Sequence, residues 1–437
     1  MGTYRDLLIS TGGGIIGTRQ MDEQEKCATI AIGLGGTGVS CLKNLKRRVY
    51  SRLQPDDPEA AVPAYKHIKF LAVDTDKNSL YDREKEHENT MINSLDEETE
   101  FFDLSTSVIS ALLEETQMIA TRPEFTWLRT GNPETGERGL RVLAADPIAG
   151  AIRQIGRFLM IQKSAAFVEK IQQLIREAKT DLPSGSDINI HIFTGMGGGT
   201  GSGMFLDVCY LVQQALRNEG EWGHALTCGY FFLPDVNLSI LQVAANPPVS
   251  EFIKANGFAA MKELDYCMNF EANGGKWSQY YQGCHIITKE PPVKICHLIS
   301  ATTTSEVVLN NGYKCAMNVV SDFIMGSVVK NGISIRDYIN YYNFFRENVQ
   351  KKHGANYIYC LLGTSNAVVP LREITTYLAS RLFEDMAQKS GKLPTDRDIA
   401  QIAQKNGLTY QQLQKSILEK TSCQMPKIEL DYKLFTS

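Results

Sequence analysis

The sequence predicts an α/β protein built on a parallel sheet, and three observations carry that expectation. Short apolar runs alternate with longer segments of helical period from Ala28 onward. The runs are apolar on successive residues, as strands buried on both faces are. Two of them end in glycine-rich loops that each open a helix, Gly33–Gly38 and Gly195–Gly203.

The elements follow in order. Residues 1–26 form an arm containing Gly12–Gly14 and the charged stretch MDEQEK. Ala28–Gly33 is the first strand, and Gly35–Leu53 is a helix with basic residues on one side. Gln54–Tyr65 carries three prolines and is a loop. His67–Val73 is the second strand and ends in Asp74-Thr75-Asp76; residues 82–100 are a charged, solvated excursion. Ser105–Thr121 is helical, Thr130–Arg141 is a loop, and Ile148–Lys179 holds one long helical period. Asp187–Thr194 is the third strand, Met204–Asn218 a helix, and Ala225–Leu233 a strand. Ser250–Met268 is a helix, 269–292 an irregular insertion, and Val293–Ser300 a strand. Asn310–Val329 is a long apolar helix and Asn356–Leu362 the last clear strand. From Leu371 the chain is helical, and 396–406 with 409–421 has the look of a helix–turn–helix.

Composition excludes more than it selects. The 437 residues hold 45 Lys+Arg and 49 Asp+Glu, a net charge of −4, with 43% apolar and 22% charged residues. Such values belong to folded globular domains and give no electrostatic reason to expect nucleic acid as the main partner. The length suits roughly two to three domains at about 150 residues each. No apolar run approaches the roughly 20 residues of a membrane-spanning helix, and the start lacks a signal-peptide pattern. The ten cysteines include no CxxC pair, which points to free thiols in the cytoplasm. The His residues show no HxxxH spacing, so no protein metal cage is expected.

Ten of the 35 glycines fall in the two loops. Without Cβ, such loops let backbone N–H groups converge on an anion, and the helix that follows adds its N-terminal dipole. Thr200 and Ser202 can add hydroxyl donors. Neither loop holds a Lys, so neither is a Walker A loop. One GxGGxG could be a tight turn or a dinucleotide loop. Six glycines in the nine residues Gly195–Gly203 demand more. In a parallel sheet both loops sit at the carboxyl ends of strands, and a di- or triphosphate between them is the natural ligand. A Rossmann oxidoreductase would place an acid about 20 residues after the first loop. Asp74 lies farther on, and the second loop would go unexplained.

The string TGMGGGTGSG at Thr194–Gly203 resembles the tubulin signature loop and its FtsZ counterpart. GLGGTG at Gly33–Gly38 resembles the first phosphate loop of FtsZ-type proteins, and FLAVDTDKNSL resembles the FtsZ stretch after the second strand. The resemblance covers about residues 28–330 and is closer to divergent bacterial tubulin-like proteins than to tubulin or FtsZ proper. It implies a tubulin/FtsZ-like Rossmann-type GTPase domain over 27–330, with a long central helix at about 309–330. A divergent second-domain segment, 331–390, and a helical tail, 391–437, would follow as a reduced, mostly helical C-terminal region.

Residue by residue, the resemblance assigns GTP or GDP phosphates to Gly33, Gly35, Gly36 and Thr37, and to Gly197, Gly198, Gly199, Thr200, Gly201 and Ser202. Asp74 and Asp76 would lie near Mg²⁺. The γ-phosphate loop would be Asp146–Ala151, with Gly150 and Ala151, leading into Arg153 and Arg157; the upstream string Gly131-Asn132-Pro133-Glu134 competes for that role. Asn310, Asn311 and Tyr313 would face the base, and Glu251 and Asn256 the ribose. Asn carries both a donor and an acceptor for a guanine edge, though it is equally a common helix cap.

In this family the next subunit in a head-to-tail filament supplies a catalytic acid after the central helix. Asp337 is the single acid in that stretch here, at a spacing unlike the family's. Two functions therefore stand: a GTPase that self-associates head to tail, or a nonpolymerising nucleotide-binding scaffold that recruits a partner protein through its C-terminal region.

Overall fold

The computed structural model describes residues 27–53, 66–81, 94–105, 119, 121–128, 152–302, 309, 311–328, 359–362, 371–390 and 395–421. These fall into two compact units, one within 22–364 and one within 365–437.

The larger unit is built on a seven-stranded sheet: β1 (Ala28–Leu34), β2 (Ile68–Asp74), β3 (Phe101–Asp103), β4 (Ile188–Gly195), β5 (Ala225–Phe232), β8 (Ile295–Ile299) and β9 (Cys360–Leu361). Its order is β3-β2-β1-β4-β5-β8-β9, and every pairing is parallel. All residues of β1, β4 and β5 are buried, so these strands are mostly apolar on both faces because both faces are covered. The strand order reverses direction between β1 and β4, which makes the crevice beyond their carboxyl ends the topological switch point.

Alternate residues serve opposite layers. Ile30 and Ile32 of β1 point into a core shared with α2 (Arg153–Gln162), α3 (Ser164–Lys179) and α4 (Thr200–Asn218). Ala31 points the other way, with Phe193 and Tyr230, toward α1 (Gly35–Leu53). After β5 come α5 (Pro234–Leu238) and α6 (Pro247–Met268), and α7 (Gly312–Val328) follows β8. α7 closes the α1 face with Val320 and Ile324.

α1 and α7 also meet along a polar seam. Asn44 Nδ2 donates to Asn318 Oδ1 at 3.2 Å and to Ser321 Oγ at 3.1 Å, and Arg48 Nη2 donates to Asn318 Oδ1 at 2.8 Å.

Between the sheet and α7 lies an aromatic cluster with two histidines. His191 Nδ1 lies 3.1 Å from the Tyr230 hydroxyl, and His297 Nδ1 lies 3.2 Å from the Gly229 carbonyl. Tyr230 and His297 stack at 4.6 Å and 5°, and Phe323 of α7 covers His297 at 5.4 Å. Burial pushes His191 down to about 3 and His297 down to about 4, with the two rings' mutual repulsion adding to the first.

Three elements differ from the sequence expectation. The helical period of Ile148–Lys179 is two helices in the described part, α2 and α3, broken at Lys163. Lys163 Nζ donates to the carbonyls of Asp103 (2.7 Å) and Ser105 (2.9 Å), so the break is tied to the strand beside it. The insertion at 269–292 contains a β-hairpin, β6 (Trp277–Tyr281) and β7 (Cys284–Thr288), turning at Gly283 with φ +80. The third departure is β3, which begins just after the stretch expected to be solvated.

The smaller unit holds α8 (Leu371–Ser390), α9 (Asp396–Lys405) and α10 (Tyr410–Thr421), and α8 contacts both of the others. Among the described residues, no helix is long and apolar enough to cross a membrane.

Candidate functional site

The strand registers bring several chain segments to one edge. Leu34 of β1 pairs with Val73 of β2 and Thr194 of β4. Asp74 pairs with Asp103, Gly195 with Phe232, and Phe232 with Ile299. The residues just past these pairs therefore share the carboxyl edge: Asp74–Asp76, Gly35–Thr37, Met196–Thr200, Leu233–Asn237 and Ser300–Thr302.

At the switch point the two glycine loops touch backbone to backbone. Gly35 has φ +63, and a Cβ there would lie 2.8 Å from Gly201 N. A Cβ on Gly201 would lie 2.5 Å from the Leu34 carbonyl oxygen and 2.6 Å from Thr194 Oγ1. No glycine of 195–203 has a positive φ, so the signature loop uses glycine for room rather than for a left-handed turn. Gly36 and Gly198 differ: a Cβ on either would have no neighbour within 4 Å, so both face open space. The first turns of α1 and α4 contain no acidic residue, and Gly199 at the α4 N-cap supplies no side-chain acceptor. The edge thus presents two helix N-termini whose leading N–H groups lack a side-chain cap, an arrangement suited to an anion.

Side chains brace these loops from behind. Thr37 Oγ1 accepts from Asn237 Nδ2 at 3.1 Å. Burial pushes the Tyr313 phenol up, and the neighbouring Ser40 and Thr37 hydroxyls oppose that. Asn256 Nδ2 donates to the carbonyls of Gly197 (3.2 Å) and Gly198 (3.3 Å). Ser202 is fully buried, and its Oγ accepts from Arg153 Nε at 2.7 Å. Arg153 in turn pairs with Glu263 of α6. One turn on, Arg157 Nε donates to Asp207 Oδ2 at 3.1 Å, while the Tyr281 hydroxyl donates to Asp207 Oδ1 at 2.9 Å. Burial raises the Asp207 carboxyl, and the Arg157 charge opposes that.

Asp74 is buried at the end of β2, where its Oδ1 accepts from Thr75 N at 2.8 Å, and burial raises its carboxyl above the usual range. Asp76 Oδ1 accepts from Asn78 N at 2.9 Å and caps the short turn that follows. Asn311 precedes α7 with φ 55, and Glu251 is exposed near the start of α6.

The structure therefore gathers Gly33, Gly35, Gly36, Thr37, the Gly197–Ser202 loop, Asp74, Asp76, Asn256 and Tyr313 around one edge. Gly150, Ala151, Asn310 and Asp337 lie outside the described residues. Sequence reasoning missed Asp235 and Asn237. Asp235 Oδ2 accepts from Ser300 Oγ at 2.5 Å and from Ala301 N at 2.8 Å, joining the ends of β5 and β8. Their signal was position, because they directly follow the carboxyl end of a strand.

At the switch point of an α/β sheet, two facing glycine loops stand in the crevice where open sheets of this kind bind ligands. A family model described as tubulin-like matches residues 30–388, and the chain belongs to that family. Its fold is the tubulin/FtsZ α/β fold, with a mostly helical C-terminal region. Among solved structures, CetZ from Methanosaeta thermophila is similar at 12% identity and a TM-score of 0.39, over 72% of this chain and 58% of that one. The empty FtsZ dimer of M. jannaschii is similar at 17% identity and a TM-score of 0.33, over 70% and 54%. A GTPγS-form protofilament of Bacillus thuringiensis serovar israelensis TubZ is similar at 14% identity and a TM-score of 0.33, over 70% and 56%. The chain thus spans less than two thirds of each of these structures. No curated protein matches the sequence.

Proposed function

We propose that this chain binds GTP and GDP and self-associates head to tail, with 27–330 as its nucleotide-binding domain. The observation that carries the proposal is the contact of the two glycine loops at Gly35 and Gly201, with open space above Gly36 and Gly198. Phosphate oxygens would take the N–H groups at the starts of α1 and α4. Thr37, held by Asn237, and the Gly197–Gly199 backbone, held by Asn256, would keep these donors aimed at the phosphates. Family membership supports guanine as the base, and Asn310, Asn311 and Tyr313 are the residues proposed to face it.

Mg²⁺ suits the Asp74–Asp76 corner by the chemistry of its donors, since hard cations take carboxylate oxygens. When bound, it would neutralise phosphate charge. Burial that raises the Asp74 carboxyl is relieved by a nearby cation, so ionisation of Asp74 and metal binding favour each other. Hydrolysis would need a water oriented from outside this chain's own pocket, and Asp337 of the partner subunit is the acid proposed for it. The cytoplasm is the proposed compartment.

The test is chromatography of the nucleotide released when the purified protein is denatured. Guanine nucleotide at about one per chain is expected; an empty protein that also ignores added GTP refutes the reading. Light scattering and electron microscopy with GTP, with GDP and without nucleotide test assembly. A monodisperse monomer in all three refutes the filament and leaves the scaffold reading. In an assembling protein, Asp337→Ala is expected to abolish turnover while sparing binding.

A further inference from the structure

We propose that α9 and α10 form a helix-turn-helix that seats α10 in the major groove of duplex DNA. Three features of the smaller unit carry this, and none depends on the nucleotide site.

The first is the turn. α9 ends in a Schellman motif: Leu408 N donates to the Ala403 carbonyl at 2.8 Å, and Gly407 N donates to the Gln404 carbonyl at 3.3 Å. Gly407 has φ +69, a conformation that excludes most other residues. Four residues, Asn406–Thr409, separate the helices. Thr409 then starts α10, its Oγ1 accepting from Gln412 N and donating to Gln412 Oε1 at 2.6 Å. A short glycine turn closed at both ends is what fixes the angle between the two helices of this motif.

The second feature is the packing. The half-buried apolar side chains of α9 and the turn are Ile399, Ile402, Ala403 and Leu408, and Leu413 continues the stripe on α10. On α8 the half-buried residues are Ala379, Leu382, Phe383 and Met386, at helical spacing. Contacts of α8 with both α9 and α10 give the pair a supporting third helix. Among the described side chains of α9 and α10 the exposed residues are polar except for Ala400 and Tyr410, the latter at the tip of α10.

The third feature is chemistry. Between Asp398 and Glu419 there is no carboxylate side chain, while Lys405 and Lys415 and five glutamines lie in that stretch. Tyr410, Gln411, Gln412, Lys415 and Ser416 are exposed. A recognition helix presents its N-terminal residues to base edges, and Gln pairs with adenine through its amide. The net charge of −4 belongs to the whole chain and does not describe this surface. A protein-binding face of the same size would have an apolar anchor cluster; among the described side chains of α9 and α10 Tyr410 is the one large apolar group exposed, while Tyr377 and Leu378 are exposed on α8.

The test uses the full chain and a fluorescein-labelled 30-base-pair duplex of mixed sequence, read by fluorescence anisotropy. Binding in the roughly 1–100 μM range is expected at low salt, as for sequence-independent contacts. Raising salt from 50 to 200 mM should weaken it at least about threefold, because few phosphates are neutralised. The double variant Gln411→Glu with Lys415→Glu, both exposed, should keep the thermal midpoint and weaken binding at least tenfold. No anisotropy change up to 100 μM protein at low salt overturns the proposal. So does equal binding by the folded double variant. If the unaltered chain shows no DNA binding and the double variant changes its molar mass in solution, the surface is a protein contact and the proposal fails. Retention or loss of guanine nucleotide is measured separately and does not bear on these outcomes.

Discussion

Acid should destabilise this protein through two particular side chains. His191 and His297 are fully buried beneath α7, with folded values of about 3 and about 4. Unfolded, each titrates near 6.5. The folded value is lower, so below about pH 6.5 the unfolded chain binds more protons and stability falls as pH falls. At pH 5 the unfolded histidines are almost fully protonated and the buried ones almost fully neutral. Each therefore costs about 1.36 × 1.5, or roughly 2 kcal/mol, relative to pH 8. Together they account for about 4 kcal/mol, a result that hardly changes for any folded value below about 4. Urea unfolding at pH 8 and pH 5 measures the loss, with His191→Phe/His297→Phe as the comparison. Phenylalanine keeps a ring over Tyr230 and cannot titrate. Its absolute stability will differ, because the bonds to Tyr230 and Gly229 are gone. Its loss on acidification should be smaller by about 4 kcal/mol. Asp74 and Asp207 also titrate abnormally, but they are common to both proteins and cancel. An equal loss in the two proteins would refute the assignment.

Other outcomes follow from the loops and their braces. Gly201→Ala forces a methyl onto Leu34 and Thr194, and the backbone cannot yield; a loss of about 3 kcal/mol, the upper end for overpacking, is expected in thermal unfolding. Gly198→Ala meets nothing within 4 Å, so the same scan should show an unchanged midpoint, while titration with a fluorescent GTP analogue should show weaker binding. Asp207→Ala strips Arg157 and Tyr281 of their shared acceptor and should cost about 3–5 kcal/mol of stability, measured by denaturant unfolding. Tyr313→Phe removes only the hydroxyl beside Thr37 and Ser40; a loss of no more than about 1 kcal/mol of stability is expected, with a lower affinity for nucleotide in the same titration.

Much of the framework was legible because its signals are local. The apolar runs at 28–34, 188–195 and 225–232 are strands since no other element buries both faces so densely. The glycine loops were legible as loops, and their position at the switch point follows from strand order. Their division of labour was not. Gly201 is set against Leu34, a neighbour 167 residues away in the chain, and Gly198 is set against nothing. Two glycines three residues apart look alike until the fold separates them. β3 has three residues, and its pairing with β2 rather than its own composition makes it a strand. The β6–β7 hairpin hid behind Gln279, a polar residue at a buried position that broke the alternation. Its buried amide donates to the Glu124 carbonyl and accepts from Arg157, partners that local sequence does not announce. Ser202 looks like a ligand hydroxyl in sequence, and the fold gives it Arg153.

The meeting of Gly35 and Gly201 carries one more consequence. Side-chain contacts can absorb a small displacement by changing rotamer, whereas main chain resting on main chain has no such slack. The two loops are therefore geared together: a shift of one by a few tenths of an ångström must appear in the other. Whatever occupies the space above Gly36 is felt at Gly198, and the sheet edge registers its occupant as one stiff part rather than as two independent fingers.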